Sequence, residues 1–205
     1  RSHKLTTPNF DGFIMPNDCK QPRYVVQKTT AAALDFAATM AKASRIYSSF
    51  DCYKNYANEV RRQAKLAFDW AVAHPDIYYR QNEMNAMFEP KVNTGAYDDH
   101  SVNDEFLWAA VEILLTEVTN SNFDIQRYLD VAMDKMQDAR FSLPTWGNVG
   151  SLAIYSYIGA VEKYGGMLKY GDVYDFAKNS IISYADYAIA MIDEATKGDH
   201  IRQRI

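Results

Sequence analysis

Thr30-Ala31-Ala32-Ala33-Leu34-Asp35-Phe36-Ala37-Ala38-Thr39-Met40-Ala41-Lys42-Ala43-Ser44-Arg45-Ile46-Tyr47 is the stretch on which the fold turns. It is a run of good helix formers, and Thr29 or Thr30 can cap it. Asp35, Lys42 and Arg45 are its only charges. A surface helix carries a full polar face; this one has almost none, so it must be buried nearly all round. Beyond Ser48-Ser49-Phe50-Asp51 a different helix follows. Tyr56, Val60, Ala64, Ala67, Phe68 and Ala71 recur there at spacings of three and four, marking one apolar face. Arg61, Arg62, Lys65 and Asp69 fall between them and are expected to face solvent, and His74-Pro75 ends the helix.

The couplet recurs twice. Asp104 to Val118 is apolar, and a more charged helix through Ile125, Leu129, Ala132 and Met136 follows it. Val149 to Tyr164 is apolar again, and Gly165-Gly166 stops it. A two-faced helix from about Val173 to Thr196 comes next, with Phe176, Ile181, Tyr184, Ala185, Ala188, Ile189 and Ile192 expected on its buried side. Residues 1–29 read as irregular, broken by Pro8, Pro16 and Pro22, and no segment reads as a strand. The pattern predicts an all-α fold of six principal helices in three αα-hairpins, each pairing an inner helix with an outer one. Concentric layers arise in a closed α/α toroid or an open α-solenoid. The inner helices begin near 31, 104 and 149, and an insertion over 75–103 breaks any solenoid period, which favours the toroid.

The chain has 205 residues, 48% apolar and 23% charged, which suits one core and excludes intrinsic disorder. Lys and Arg total 22 against 26 Asp and Glu, for a net charge of −4 with no basic cluster, which argues against nucleic acid or an anionic membrane as partner. Phe141 to Val161 is charge-free and long enough to cross a bilayer. It also holds Pro144, Gly147, Asn148 and Gly150, so it reads as a loop entering a buried helix. No secretory leader is visible at Arg1-Ser2-His3-Lys4. Cys19 and Cys52 are the only cysteines, and their pairing is left open.

The densest oxygen cluster runs from Asn93 and Thr94-Gly95 through Tyr97-Asp98-Asp99-His100 to Asp104-Glu105. Carboxylates, hydroxyls and amides on a glycine-containing loop suit a hard cation such as Ca²⁺, although the spacing is not that of an EF-hand. The competing reading is structural: Ser101 or Asn103 caps the next helix and Asp104-Glu105 complement its dipole. The four histidines, at 3, 74, 100 and 200, have no i, i+4 partner, and no CxxC, P-loop, dinucleotide fingerprint or GxSxG elbow occurs.

Three stretches taken together resemble glycoside hydrolase family 9, the inverting cellulases. Arg23 to Tyr47 resembles the family's first helix after a catalytic loop. Thr94-Gly95-Ala96-Tyr97-Asp98-Asp99, followed by Asp104-Glu105-Phe106-Leu107-Trp108-Ala109-Ala110, resembles its Thr/Ser-Gly loop and its Asp-Glu-x-x-Trp-Ala-Ala helix. His3-Lys4, with Gly12-Phe13-Ile14-Met15-Pro16 downstream, resembles its His-Lys segment before a Met-Pro turn. The resemblance implies about three hairpins of an (α/α)6 barrel: one partial domain over 1–205, with 1–29 as lead-in and 30–205 as helical hairpins. It implies a secreted or periplasmic hydrolase of a β-1,4-glucan such as cellulose or a cello-oligosaccharide, with the rest of the barrel or a second copy covering the open edges.

The family's general base lies in an Asp-Ala-Gly-Asp motif and its general acid in an Asn-Glu-x-x-x-x-x-Asn-Ala motif, and neither occurs here. An inverting glycosidase needs both carboxylates roughly 6.5–9.5 Å apart across the sugar. No catalytic residue is therefore assigned to this chain, and it is expected to be inactive alone. The resemblance implies that His3, Tyr97 and Trp146 contact substrate, Trp146 having loop anchoring as its alternative. It implies a calcium set of Thr94, Gly95, Asp104 and Glu105, with Asp98, Asp99 and Asn148 as further candidates; Asn148 stands where the family commonly has Asp. Outside this family, the alternatives are a non-catalytic helical scaffold for a protein partner or another toroid enzyme such as a lyase.

Overall fold

The computed structural model describes residues 3–5, 12–96, 98–118, 125–139, 141–165 and 171–197. Its elements are β1 (His3–Leu5), β2 (Arg23–Val25), α1 (Thr30–Tyr47), α2 (Lys54–Ala73), α3 (Gln81–Met87), α4 (Asn103–Glu117), α5 (Gln126–Asp138), α6 (Gly150–Tyr164) and α7 (Gly171–Lys197). The inner helices α1, α4 and α6 pack side by side, and α2, α5 and α7 lie behind them. This is the expected all-α arrangement, three hairpins in an arc with α4 at its centre.

Each hairpin forms for local reasons. The hydroxyl of Thr29 caps α1 by accepting from the Ala32 N–H at 3.3 Å. On the face toward α2 and α4, Leu34, Ala37, Ala38 and Ala41 are almost wholly buried. Alanine at these positions lets the helices approach closely with little side-chain entropy to lose. The chain reverses through a 3₁₀ turn at Asp51–Tyr53, and α2 buries Ala57, Val60, Ala64, Phe68 and Ala71. Buried Thr30 ties the far end of this hairpin back to its start. Its hydroxyl donates to the His74 carbonyl at 2.6 Å and accepts from the Ile77 N–H at 3.0 Å.

Helix α4 is buried along nearly its whole length, including two acids with no exposed surface, Glu112 and Glu117. Burying an unpaired carboxylate is prohibitive, and both are heavily paired. Arg45 of α1 bonds Glu112, Ser156 of α6 donates to it at 2.6 Å, and Trp108 donates its indole N–H at 3.2 Å. Arg61 of α2 bonds Glu117 through both ends of its guanidinium, and Lys65 lies 3.1 Å away. Arg61 and Lys65 were expected to face solvent. They turn inward because buried Glu117 requires their charge.

Four further expectations are corrected. The lead-in is not wholly irregular: β1 and β2 pair antiparallel, with His3 opposite Val25 and Leu5 opposite Arg23. Proline excludes helix there but leaves extended chain open to pairing. The 75–103 insertion contains a seventh helix, α3. Tyr56 is half exposed and packs edge-on against Tyr47, at 5.2 Å between ring centres, instead of entering the core. On α7, Ala177 is buried, while Ala185, Ile189 and Ile192 of the expected buried side face outward, the two isoleucines 57% and 61% exposed. Its stripe is amphipathic by sequence, but among the described residues only the first part meets α5 and α6.

Candidate functional site

The first turns of α4 and α6 meet at one end of the hairpins. Asp104 Oδ2 accepts from the Val149 N–H at 2.8 Å, so a carboxylate in the first turn of α4 also serves the N-terminus of α6. That approach depends on Gly150: a Cβ there would stand 3.3 Å from Asp104 Cβ. Asn148 Oδ1 accepts from the Gly150 N–H at 3.2 Å. The loop before α6 is held by Ser151, whose hydroxyl accepts from the Ser142 N–H at 3.1 Å and donates to the Ser142 carbonyl. Thr145 and Asn148 bridge backbone to backbone, and Trp146 stands at the tip of that turn, 73% exposed.

These elements enclose a cavity of about 490 Å³, lined among others by Asp98, Asp99, Asp104, Lys135, Trp146 and Asn148. Trp146 is thus exposed at the cavity rim in this chain, not enclosed by its loop. The capping alternative is partly met: Ser101 Oγ accepts from the Asn103 N–H at 3.3 Å, but the residue at the cap of α4 is Val102, which has no side-chain bond to give. A larger cavity, about 720 Å³, lies between β2 and α3 beside Tyr24, Tyr79, Met87 and Phe88. Glu89 is the only carboxylate among the described residues that line it, whereas the first cavity has Asp98, Asp99 and Asp104.

The structure brings together Asp98, Asp99, Asp104, Trp146 and Asn148 around one space. Glu105 lies behind them, only 6% exposed. Thr94 and Gly95 do not line the cavity; the Thr94 carbonyl accepts from Gln81 at 2.7 Å, and Arg80 holds the Asp99 carbonyl at 3.0 Å. Tyr97 and the side chain of His3 lie outside the described residues.

Sequence reasoning missed Asp35. Its carboxyl interacts with Asp99, Asp104 and Glu105, joining α1 to the cluster. Like charges held this close, and shut off from water, favour the protonated forms. Burial, followed by the charges of Asp99 and Asp104, pushes Asp35 up to about 6. Burial, followed by Asp104, pushes Glu105 up to about 9. Asp99 is raised as well, chiefly by burial and then by Asp104 and Asp98. The signal for Asp35 was available: a lone acid on a helix buried nearly all round must meet something.

Whether these residues suit the cation that the family resemblance implies is decided by their unsatisfied oxygens. Among the described residues, the buried side-chain polar atoms without a hydrogen-bond partner are Asp35 Oδ1, Asp98 Oδ1 and Glu105 Oε2. All three are carboxylate oxygens in this one cluster, and hard cations take such donors. No three described His, Cys, Asp or Glu side chains converge closely enough to hold a metal by themselves. One or two carboxylates completed by a neutral oxygen such as that of Asn148, which lines the cavity, are consistent with that. The donors are of the type a hard cation takes, while no three acids among the described residues close on one point.

Comparison with known proteins agrees with this architecture. A xyloglucan-specific endo-beta-1,4-glucanase of Bacteroides ovatus is 40% identical over 190 residues, spanning 91% of this chain and 30% of the relative. A cellulose 1,4-beta-cellobiosidase of Acetivibrio thermocellus is 34% identical over 125 residues, 58% of this chain and 13% of that protein. A solved GH9 structure from Bacteroides ovatus superposes with a TM-score of 0.73 at 37% identity, covering 91% of this chain and 32% of its own. That of AaCel9A with a cellobiose-like isofagomine, at 22% identity and a TM-score of 0.66 over 87% and 30%, shows the shared fold. Residues 3–201 match the model of glycosyl hydrolase family 9, so the three hairpins are an arc of an (α/α)6 barrel and the chain belongs to that family.

Proposed function

We propose that this chain is part of the barrel of an inverting β-1,4-glucan hydrolase. Its loop end supplies sugar contacts and a structural cation site. The observation that carries the reading is the indole of Trp146, 73% exposed at the rim of a carboxylate-lined cavity in a chain of this family. An exposed aromatic face suits the apolar C–H face of a glucose ring. His3 and Tyr97 are assigned sugar contacts on the family pattern. The relative named as a xyloglucan-specific endoglucanase supports a β-1,4-linked backbone as substrate. A β-1,4-glucan polymer is met outside the cytoplasm, which supports a secreted or periplasmic location. No described helix is long and apolar enough to cross a membrane.

Hydrolysis with inversion needs an acid to protonate the leaving oxygen and a base to activate water. The motifs that supply them in this family do not occur in these 205 residues. What this chain does is bind and orient. Trp146 gives the sugar a stacking surface, and the Ser142–Ser151 pair holds the loop that carries it. Thr94, Gly95, Asp104 and Glu105, with Asp98, Asp99 or Asn148 as further candidates, would hold a calcium ion, whose part would be to neutralise the acidic cluster and tie the loops to α4.

The test is reducing-sugar release from xyloglucan and carboxymethylcellulose. The complete protein is expected to cleave a β-1,4-glucan, and Trp146→Ala to raise KM about tenfold with kcat little changed, the loss of one stacking surface. The 205-residue chain alone is expected to release nothing. Activity of the chain alone that disappears when Asp98 and Asp99 are both changed to Asn would overturn the assignment and make that loop the catalytic site.

A further inference from the structure

The cavity of about 720 Å³ between β2 and α3 has no part in the function described above, yet it has the size and lining of a small-molecule site. Tyr24 and Val25 of β2 form one wall, and Met87 and Phe88, at the end of α3, form the other. The second wall is fixed from within. The Asn85 side chain donates to the Val92 carbonyl at 2.8 Å and accepts from the Val92 N–H at 2.8 Å, closing the loop between them. The Phe88 N–H donates to the Met84 carbonyl at 2.9 Å. A backbone pinned in this way holds Met87 and Phe88 in water, 61% and 64% exposed, facing a β2 wall whose Tyr24 and Val25 are exposed as well. Grouped apolar side chains held out by a fixed backbone mark a surface that something else covers.

Two features say what covers it. Tyr79 lines this cavity, and the next residue, Arg80, donates to the carbonyl of Asp99, which lines the carboxylate cavity beside Trp146, at 3.0 Å. The two spaces are therefore neighbours at one end of the hairpins, joined through residues 79–80. The lining also pairs the aromatic faces of Tyr24 and Phe88 with the polar ends of Gln27 and Glu89. A pyranose ring needs both, because it has an apolar C–H face and a rim of hydroxyls. We propose that this cavity is a second sugar subsite of the same glucan cleft, holding a sugar unit of the polymer other than the one stacked on Trp146. The proposal rests on the β-1,4-glucan reading and adds a site to it. A backbone glucose and a branch sugar share this ring chemistry, and the test separates them.

The test is steady-state hydrolysis by the complete protein of xyloglucan and of carboxymethylcellulose, whose backbone carries no sugar branches. Phe88→Ala and Tyr24→Ala are each expected to raise KM about threefold to tenfold with kcat unchanged, the loss of one stacking face. Phe88→Trp, which restores a ring, should return KM to near the parent value. Both side chains are exposed, so the melting midpoint should stay in place. Phe50→Ala, an exposed aromatic at the far end of α1, is the control and should match the parent. A rise on both polymers assigns the cavity to a backbone glucose and a rise on xyloglucan alone assigns it to a branch sugar; either upholds the subsite. Parent-like KM on both polymers for Phe88→Ala and Tyr24→Ala, with Trp146→Ala impaired, would overturn the subsite and leave the proposed function standing. An equal rise in Phe50→Ala would overturn it too. No cleavage of either polymer by the parent would overturn both.

Discussion

Replacing Arg45 by Met tests how the inner helices are held together. Glu112 has no exposed surface, while the Arg45 side chain is 24% exposed. The guanidinium bonds the Glu112 carboxylate, donates to the Glu112 backbone carbonyl at 2.6 Å and reaches the Thr116 hydroxyl at 2.8 Å. In Arg45→Met, Glu112 remains buried with Lys42 at 3.7 Å, the Ser156 hydroxyl and the Trp108 indole. Breaking one partner of a buried pair costs about 3–5 kcal/mol, because the remaining charge cannot reach water. At about 2–4 °C per kcal/mol for a chain of this length, the melting midpoint should fall by roughly 6–20 °C.

Glu112→Gln should cost less, about 1–3 kcal/mol, since the amide still accepts from Ser156 and Trp108 and water can reach Arg45. The double variant should cost less than the sum by on the order of 1–2 kcal/mol. Arg62→Met, which removes an exposed pair with Glu59, is the control and should leave the midpoint where it was. The assay is thermal and urea unfolding followed by circular dichroism at 222 nm. If Arg45→Met behaves like Arg62→Met, or if the double variant is additive, Glu112 is not the ionic junction of α1, α4 and α6.

Two further outcomes follow from the site. Asp35 and Glu105 hold their protons more tightly when folded than unfolded, so stability present at low pH is lost as pH rises, through about 6 for Asp35 and on toward 9 for Glu105. In EDTA the melting temperature should therefore fall between pH 5 and pH 8, and Ca²⁺ should remove that slope; a rising curve in EDTA would contradict the clustering of these acids. Gly150→Ala places a Cβ 3.3 Å from Asp104 Cβ and should destabilise by on the order of 1 kcal/mol. Gly159→Ala, in open space on the same helix, should stabilise by about 0.5–1 kcal/mol. Equal melting shifts for the two would show that the α4–α6 approach does not need glycine.

Helix periodicity is a local property, and the six principal helices and their layering, which depend on it, were legible. The alanine-rich run of α1, the apolar length of α4 and the α6 helix opening at Gly150 each state that they are buried, and their alternation with two-faced partners states the layering. The Thr94–Glu105 loop and Asn148 announced an oxygen-rich end by composition alone. What remained hidden depended on partners far along the chain. Arg61 and Lys65 read as solvent-facing because nothing near them says that buried Glu117, 56 residues from Arg61, needs their charge. Asp35 read as one of three stray charges on α1 until packing set it among carboxylates from α4 and the 98–99 loop. Ile189 and Ile192 read as core, yet an apolar stripe becomes core only where a neighbour covers it, and no described residue does so there. A sequence specifies which faces avoid water and which charges need company. Only the tertiary structure decides what meets them, because that contact energy belongs to pairs of surfaces brought together by the fold.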